Sequence, residues 1–110
     1  MRRDVFQAIA DPTRRAILDL LAAQPRPLTL NGVAEHFEIS RPAISKHVKI
    51  LAECGLVVIR QQGRERYCEV QVEKLNEVTN WIEQYRAAWE QRLDRLGEYL
   101  NELQKKGEQS

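Results

Sequence analysis

Between Ser40 and Arg66 the chain carries six cationic side chains, Arg41, Lys46, Lys49, Arg60, Arg64 and Arg66, against two acids, Glu53 and Glu65. Ammonium and guanidinium groups at this density are donors suited to phosphate oxygens and to the acceptors on base edges. The formal net charge of the whole chain is only +1, so this excess must be offset elsewhere. From Val72 to Ser110 there are six basic and eight acidic residues, while residues 1–71 hold eleven basic and eight acidic ones. Charge is therefore segregated, pointing one part of the chain toward an anion and leaving the other solvated or partnered.

The element that must position the first three cations is a helix. Ser40 is suited to cap it by accepting from N–H groups of the first turn, and Pro42 lacks a donor that the first turn would leave unused. Gly55 is suited to end it in the left-handed conformation. At about 100° per residue, Ala43, Ile44, His47, Val48, Ile50, Leu51 and Cys54 share one arc, and Pro42, Ser45, Lys46 and Lys49 the other. For an isolated helix, an exposed Lys face is ordinarily just solvated surface. A hairpin directly after it favours a binding role: Leu56 to Ile59 and Tyr67 to Val72 read as strands, joined by the turn Gln61-Gln62-Gly63-Arg64.

Upstream, residues 3–10 read as a short helical segment, and Asp11-Pro12 as the cap and first turn of a second helix whose Ile17, Leu18, Leu20 and Leu21 form an apolar stripe. Gln24-Pro25-Arg26-Pro27 breaks it. Thr29 is suited to cap a third helix with Leu30, Val33, Ala34 and Phe37 at helical spacing, its first turn weakened by Asn31-Gly32. Only Glu38-Ile39 then separate Phe37 from Ser40, so the third and fourth helices read as a helix-turn-helix.

Downstream, Leu75, Ile82, Trp89, Leu96 and Leu103 recur every seven residues, with Val78, Tyr85, Leu93 and Leu100 between them. An apolar stripe from about residue 73 to 105 exceeds what one small domain needs to cover its own core, so a homodimer interface is expected at Val78, Ile82, Tyr85, Trp89, Leu93, Leu96 and Leu100. Arg92 and Tyr99 interrupt a strict heptad, which favours a packed helical pair over a regular coiled coil.

With 110 residues, 43% of them hydrophobic and 30% charged, a single globular domain is expected. Residues 1–71 would hold the helices and the wing, 72–105 the dimerisation helix, and 106–110 a disordered tail. No apolar run approaches a membrane span, Met1-Arg2-Arg3-Asp4 does not open a signal peptide, and two cysteines are too few for a disulfide framework. The expected location is the cytoplasm.

Several spaced motifs together resemble the ArsR/SmtB-type winged-helix transcriptional repressors: Asp11-Pro12-Thr13-Arg14-Arg15-Ala16-Ile17-Leu18, then Ser40-x-x-Ala43-x-Ser45-x-His47-Val48-x-x-Leu51, then Gly55-Leu56-Val57 and Gly63-Arg64. The likeness runs from about residue 3 to residue 100. It implies a mainly α fold with a small two-stranded β wing, a winged helix-turn-helix with a long C-terminal dimerisation helix. It also implies a homodimeric repressor of double-stranded DNA operators, with Ser40, Arg41, Pro42, Ser45, Lys46, His47 and Lys49 as helix contacts and Gln62, Arg64 and Arg66 as wing contacts. For His47, whose angular position lies beside the apolar arc, a packing or helix-supporting role is favoured over direct phosphate contact.

Many relatives sense metals through a Cys-x-Cys element in the third helix, or through Asp, His and Glu ligands in the last. Here Leu28 to Ala34 contains no thiolate and the last helix no histidine. His36, His47, Cys54 and Cys68 are not paired at zinc-site spacing, so no metal or other cofactor is expected, and the cysteines read as small buried hydrophobes. A disulfide between them is the minor alternative. A small organic effector near Trp81, Tyr85 or Trp89 is a lesser reading, because aromatics at helical spacing more often pack. Enzymatic chemistry is not expected: there is no glycine-rich phosphate loop, His-carboxylate pair or nucleophile motif. The strongest rival is a winged helix that has lost DNA binding and serves protein interaction, which would have no use for Lys46, Lys49, Arg64 and Arg66 on the DNA side. The effector remains unassigned by sequence.

Overall fold

The computed structural model describes residues 4–108, which divide into two compact units meeting at Val78 and Thr79. In chain order the elements are α1 (Val5–Ile9), α2 (Pro12–Ala23), β1 (Leu28–Thr29), α3 (Leu30–Ala34), α4 (Arg41–Glu53), β2 (Val57–Gln62), β3 (Glu65–Val70), a 3-10 turn (Glu73–Leu75) and α5 (Asn76–Glu108). The expected first helix begins at Val5; residue 3 lies outside the described residues.

Each of the first four helices starts at a side-chain cap. Asp4 accepts from Gln7 N at 2.9 Å, Asp11 from Thr13 N at 2.7 Å and Arg14 N at 3.2 Å, Thr29 from Gly32 N at 2.9 Å, and Ser40 from Ala43 N at 3.3 Å. These bonds satisfy donors that a helix N-terminus leaves without intrahelical partners. The end of α4 is closed by Gly55 at φ +80°, with Gly55 N donating to Ala52 O and Leu56 N to Leu51 O at 3.0 Å. This is a Schellman closure, and Leu51 and Leu56, the pair it brings together, are both fully buried.

The third helix is shorter than its apolar spacing suggests. It stops at Ala34, and His36 N and Phe37 N donate to Val33 O and Ala34 O, three residues back, in turns that leave the α pattern. The Gly32 carbonyl, which a continuing α-helix would pair with His36 N, instead meets the His36 ring Nδ1 at 2.9 Å. Phe37 nevertheless packs against the core, so its spacing reports burial rather than helix.

The wing holds one strand more than the expected two. Leu28 and Thr29 form β1, paired antiparallel to Cys68 and Tyr67, and the sheet order is β1-β3-β2. The hairpin strands reach further toward the tip than their apolar residues do, with Gln62 opposite Glu65 and a two-residue loop of Gly63 and Arg64. Gly63 has φ +63° and among the described residues no non-glycine residue has a positive φ, the pattern of a type II′ turn, whose twist matches that of the strands.

One buried cluster unites the first unit: Val5 and Ala8 of α1, Ile17, Leu18 and Leu21 of α2, Leu30 and Val33 of α3, Ile44, Val48 and Leu51 of α4, and Cys54, Leu56, Val57 and Cys68 around the sheet. Leu75 and Val78 pack against this cluster. Val78, a residue of the expected dimer interface, is thus partly buried against its own domain's core. The second unit is the remainder of α5, a helix of 33 residues and about 50 Å. It continues through Glu108, so residues 106–108 of the expected tail are helical, while 109 and 110 lie outside the described residues. Among the described residues no helix is long and apolar enough to cross a membrane.

Replacing Ile44 by Ala removes a fully buried side chain at the centre of this cluster and should lower unfolding free energy by about 2–5 kcal/mol in urea titrations. Asp11 adds a pH dependence. Burial acts to raise its pKa, but the N–H groups of Arg14 and Thr13, and in the acid range the charges of His47 and Arg14, outweigh it and hold the carboxyl below its ordinary value of 3.8. A depressed native pKa means that the contribution is complete above the ordinary carboxylate range and is lost as pH falls through the lowered value. Asp11→Ala should therefore cost about 0.5–2 kcal/mol at neutral pH, with the difference from wild type shrinking in acid.

Candidate nucleic-acid interface

Packing sets the outward face of α4. Ile44, Val48 and Leu51 are sealed, which turns Arg41, Pro42, Lys46 and Lys49 to solvent. Ala43, Ser45, His47 and Ile50 lie half-buried on the two flanks, so the apolar arc is narrower than its residue types suggest. Ser40 is exposed, with its oxygen accepting from Ala43 N as the cap.

The Ser45 flank opens onto the wing. Arg41, Pro42 and Ser45 line an open cleft of about 500 Å³ together with Leu30, Asn31, Arg64, Glu65 and Arg66. The hairpin register explains why the wing arrives there. Val57, Ile59, Cys68 and Val70 pack inward as cross-strand pairs, and the same alternation continues outward to the pair Gln61 and Arg66. The tip thus extends beyond the core with its side chains in water.

Among the described residues, Arg41, Lys46, Lys49, Arg60, Arg64 and Arg66 have no ion-pair partner. Six uncompensated cations on one helix face and the adjoining wing form a field suited to a polyanion. The ion pairs present lie elsewhere, as at Arg14–Asp11 and Arg86–Glu83.

The structure gathers Arg41, Pro42, Ser45, Arg64 and Arg66 into the cleft and leaves Lys46 and Lys49 on the adjoining exposed face. Gln62 is placed differently, lining a separate depression of about 310 Å³ with Arg26, Pro27, Arg60, Tyr67 and Glu69. Asn31 is a cleft residue that sequence reasoning missed; its exposed amide at the start of α3 was the available signal.

His47 sits on the other flank of α4, its Nδ1 3.3 Å from Nη1 of Arg14. Arg14 also donates through Nε to Ala8 O at 2.7 Å and through Nη2 to Gln7 O at 3.0 Å, and Arg15 donates to Ile9 O at 2.6 Å. The paired arginines thereby satisfy the Ala8 and Ile9 carbonyls at the end of α1 and add a second donor to Gln7 O, which also accepts from Ala10 N. The contact joins α2 to α4 through the His47 ring.

Neither cysteine is disulfide-bonded. Both are buried, and burial pushes the Cys68 thiol up to about 11, far from the thiolate form that metals and oxidants attack. The His36 ring is engaged with the Gly32 carbonyl. Among the described residues no three His, Cys, Asp or Glu side chains are grouped so as to hold a metal.

A family model described as a helix-turn-helix domain matches residues 9–60. The transcriptional repressor SdpR of Bacillus subtilis (strain 168) is 40% identical over 79 residues, covering 72% of this chain and 86% of that protein. The arsenical resistance operon repressor of Staphylococcus xylosus is 33% identical over 72 residues, 66% of this chain and 67% of the repressor. An ArsR-like transcriptional regulator from Rhodococcus sp. RHA1 shares the fold with a TM-score of 0.71 at 32% identity, covering 88% of this chain and 87% of that one. A helix-turn-helix with a cationic wing, matched in sequence to repressors and in fold to ArsR-like regulators, places this chain in the ArsR/SmtB-type family of winged helix-turn-helix transcriptional repressors.

Proposed function

We propose that the protein is a homodimeric, sequence-specific repressor acting on double-stranded DNA in the cytoplasm, and that it works without a bound metal or other cofactor. The observation that carries the reading is the set of six unpaired cations on α4 and the wing. A helix face bearing Arg41, Ser45, Lys46 and Lys49 fits the major groove, and Arg64 and Arg66 on the extended hairpin reach the neighbouring backbone or groove. The relatives named as repressors support the direction of regulation: occupancy of an operator overlapping a promoter blocks polymerase.

Dimerisation is supported by the second unit. Ile82, Tyr85, Trp89, Leu93, Leu96 and Leu100 are all exposed in the single chain, Trp89 by 60% and Leu93 by 53%. At helical spacing they and Leu103 fall within an arc of about 80°, over a length of about 30 Å. A continuous apolar strip of this size on a single chain is the mark of a buried interface, and a second copy presents the same strip. Two-fold symmetry would set two α4 helices about 34–36 Å apart, matching a palindromic operator.

Binding should weaken steeply with salt, because each phosphate contact releases counterions. Arg64→Ala should lower affinity for all duplexes alike and reduce the log–log salt slope by about 1, whereas Lys46→Ala or Ser45→Ala should change which sequence is selected from randomised duplexes. Uniform loss across all sequences for the latter pair would refute base reading by α4. Trp89→Glu, with a charge in the apolar strip, should sediment as a monomer where wild type sediments as a dimer.

A further inference from the structure

The two histidines are held in opposite ways. The Nδ1 of His36 faces the Gly32 carbonyl, which only accepts, so that nitrogen carries the proton. The Nδ1 of His47 faces Nη1 of Arg14, and a guanidinium only donates. His47 Nδ1 must therefore be the acceptor, which leaves the ring hydrogen on Nε2. Among the described residues Nε2 has no protein partner, and no buried polar side-chain atom lacks one, so Nε2–H opens to solvent.

Arg14 is unusually well held for such a task. Its side chain is only 13% exposed, and bonds to Ala8 O and Gln7 O fix two of its three nitrogens. The third, Nη1, is held between Asp11 Oδ2 at 3.9 Å and His47 Nδ1 on α4 at 3.3 Å. On α4, His47 is next in sequence to Lys46 and two residues before Lys49, at the edge of the solvent-facing arc.

We propose that Arg14 is a positioning residue for DNA binding: it holds His47 in the Nε2–H form, so that the imidazole presents a neutral, pre-oriented donor to a backbone phosphate beside the Lys46 and Lys49 face. This rests on the reading of α4 as the DNA-facing helix. It also reconciles the two roles open to His47, because support on one ring edge is what makes the other edge a directed donor. The arrangement assigns Arg14 of the Asp11-to-Leu18 motif a task beyond its bonds to the α1 carbonyls and its ion pair with Asp11.

The test has two parts. Long-range proton–nitrogen NMR of the free protein, at a pH well above the ordinary imidazole range, should show one Nδ1–H ring (His36) and one Nε2–H ring (His47), and Arg14→Lys should turn the latter into a tautomer mixture while leaving His36 unchanged. A wild-type His47 protonated on Nδ1 overturns the proposal. Affinity for sheared duplex DNA in low salt forms the second part, measured on variants whose circular dichroism matches wild type. His47→Ala and Arg14→Lys should each lose about tenfold, and the double variant should lose no more than either alone. Multiplying losses would mean that Arg14 acts only through the stability of α1 and α2, and full affinity in His47→Ala would remove the phosphate contact. His47→Gln, which keeps an N–H near the Nε2 position, should bind within about threefold of wild type, and His47→Asn should not. Failure of the DNA reading itself is separate and visible, since wild-type protein would then ignore the duplex even with the expected tautomers in place.

Discussion

Burial of Ile44, Val48 and Leu51 is the constraint on which the rest of this molecule depends. These three side chains lie fully sealed against α1, α2, α3 and the sheet residues, and a helix has only one rotational setting that seals all of them. Once that setting is imposed, Arg41, Lys46 and Lys49 have nowhere to go but outward. The cationic face is thus a consequence of core packing. It carries no buried-charge cost, because the charged groups never leave water.

The same logic governs the wing. Cys68 is fully buried and pairs across the sheet with Ile59 on one side and Leu28 on the other, which clamps the middle of β3 between two strands. The inward pairs end there, and the strands continue as a two-stranded ribbon toward Gly63. A ribbon supported at its base and free at its tip can carry Arg64 and Arg66 beyond the core. The Schellman closure at Gly55 sets where β2 leaves α4, so the cleft between Ser45 and Arg66 has its two walls fixed by one short connection.

The second unit obeys a different balance. Its helix is long, most of its large apolar side chains are exposed along one narrow strip with Trp81 and Tyr99 beside it, and much of its remaining surface is charged, with Glu83 and Arg86 paired at 3.3 Å. A lone helix of this kind gains little from its own hydrogen bonds and depends on covering its apolar face. The unpaired cations and the exposed apolar strip therefore lie in separate parts of the chain, as the segregation of charge implies.

Much of this was legible in the residues. Asp11, Thr29 and Ser40 act as caps, Gly55 and Gly63 take positive φ, and the apolar periodicities of α2, α4 and α5 correspond to helices, because caps, glycine conformations and helical period are local properties set by a few neighbouring residues. Three features were not. β1 is two residues long and exists only because Cys68 and Tyr67 offer it a ladder; α3 ends early although its apolar spacing continues to Phe37; and Arg14, 33 residues from His47 in sequence, meets it only when α2 packs on α4. Sequence alone determined which segments could be helices and which faces could be charged, since both follow from near neighbours along the chain. Tertiary structure decided which donors stand together and which nitrogen of His47 faces water, since those depend on contacts between segments that no local pattern encodes.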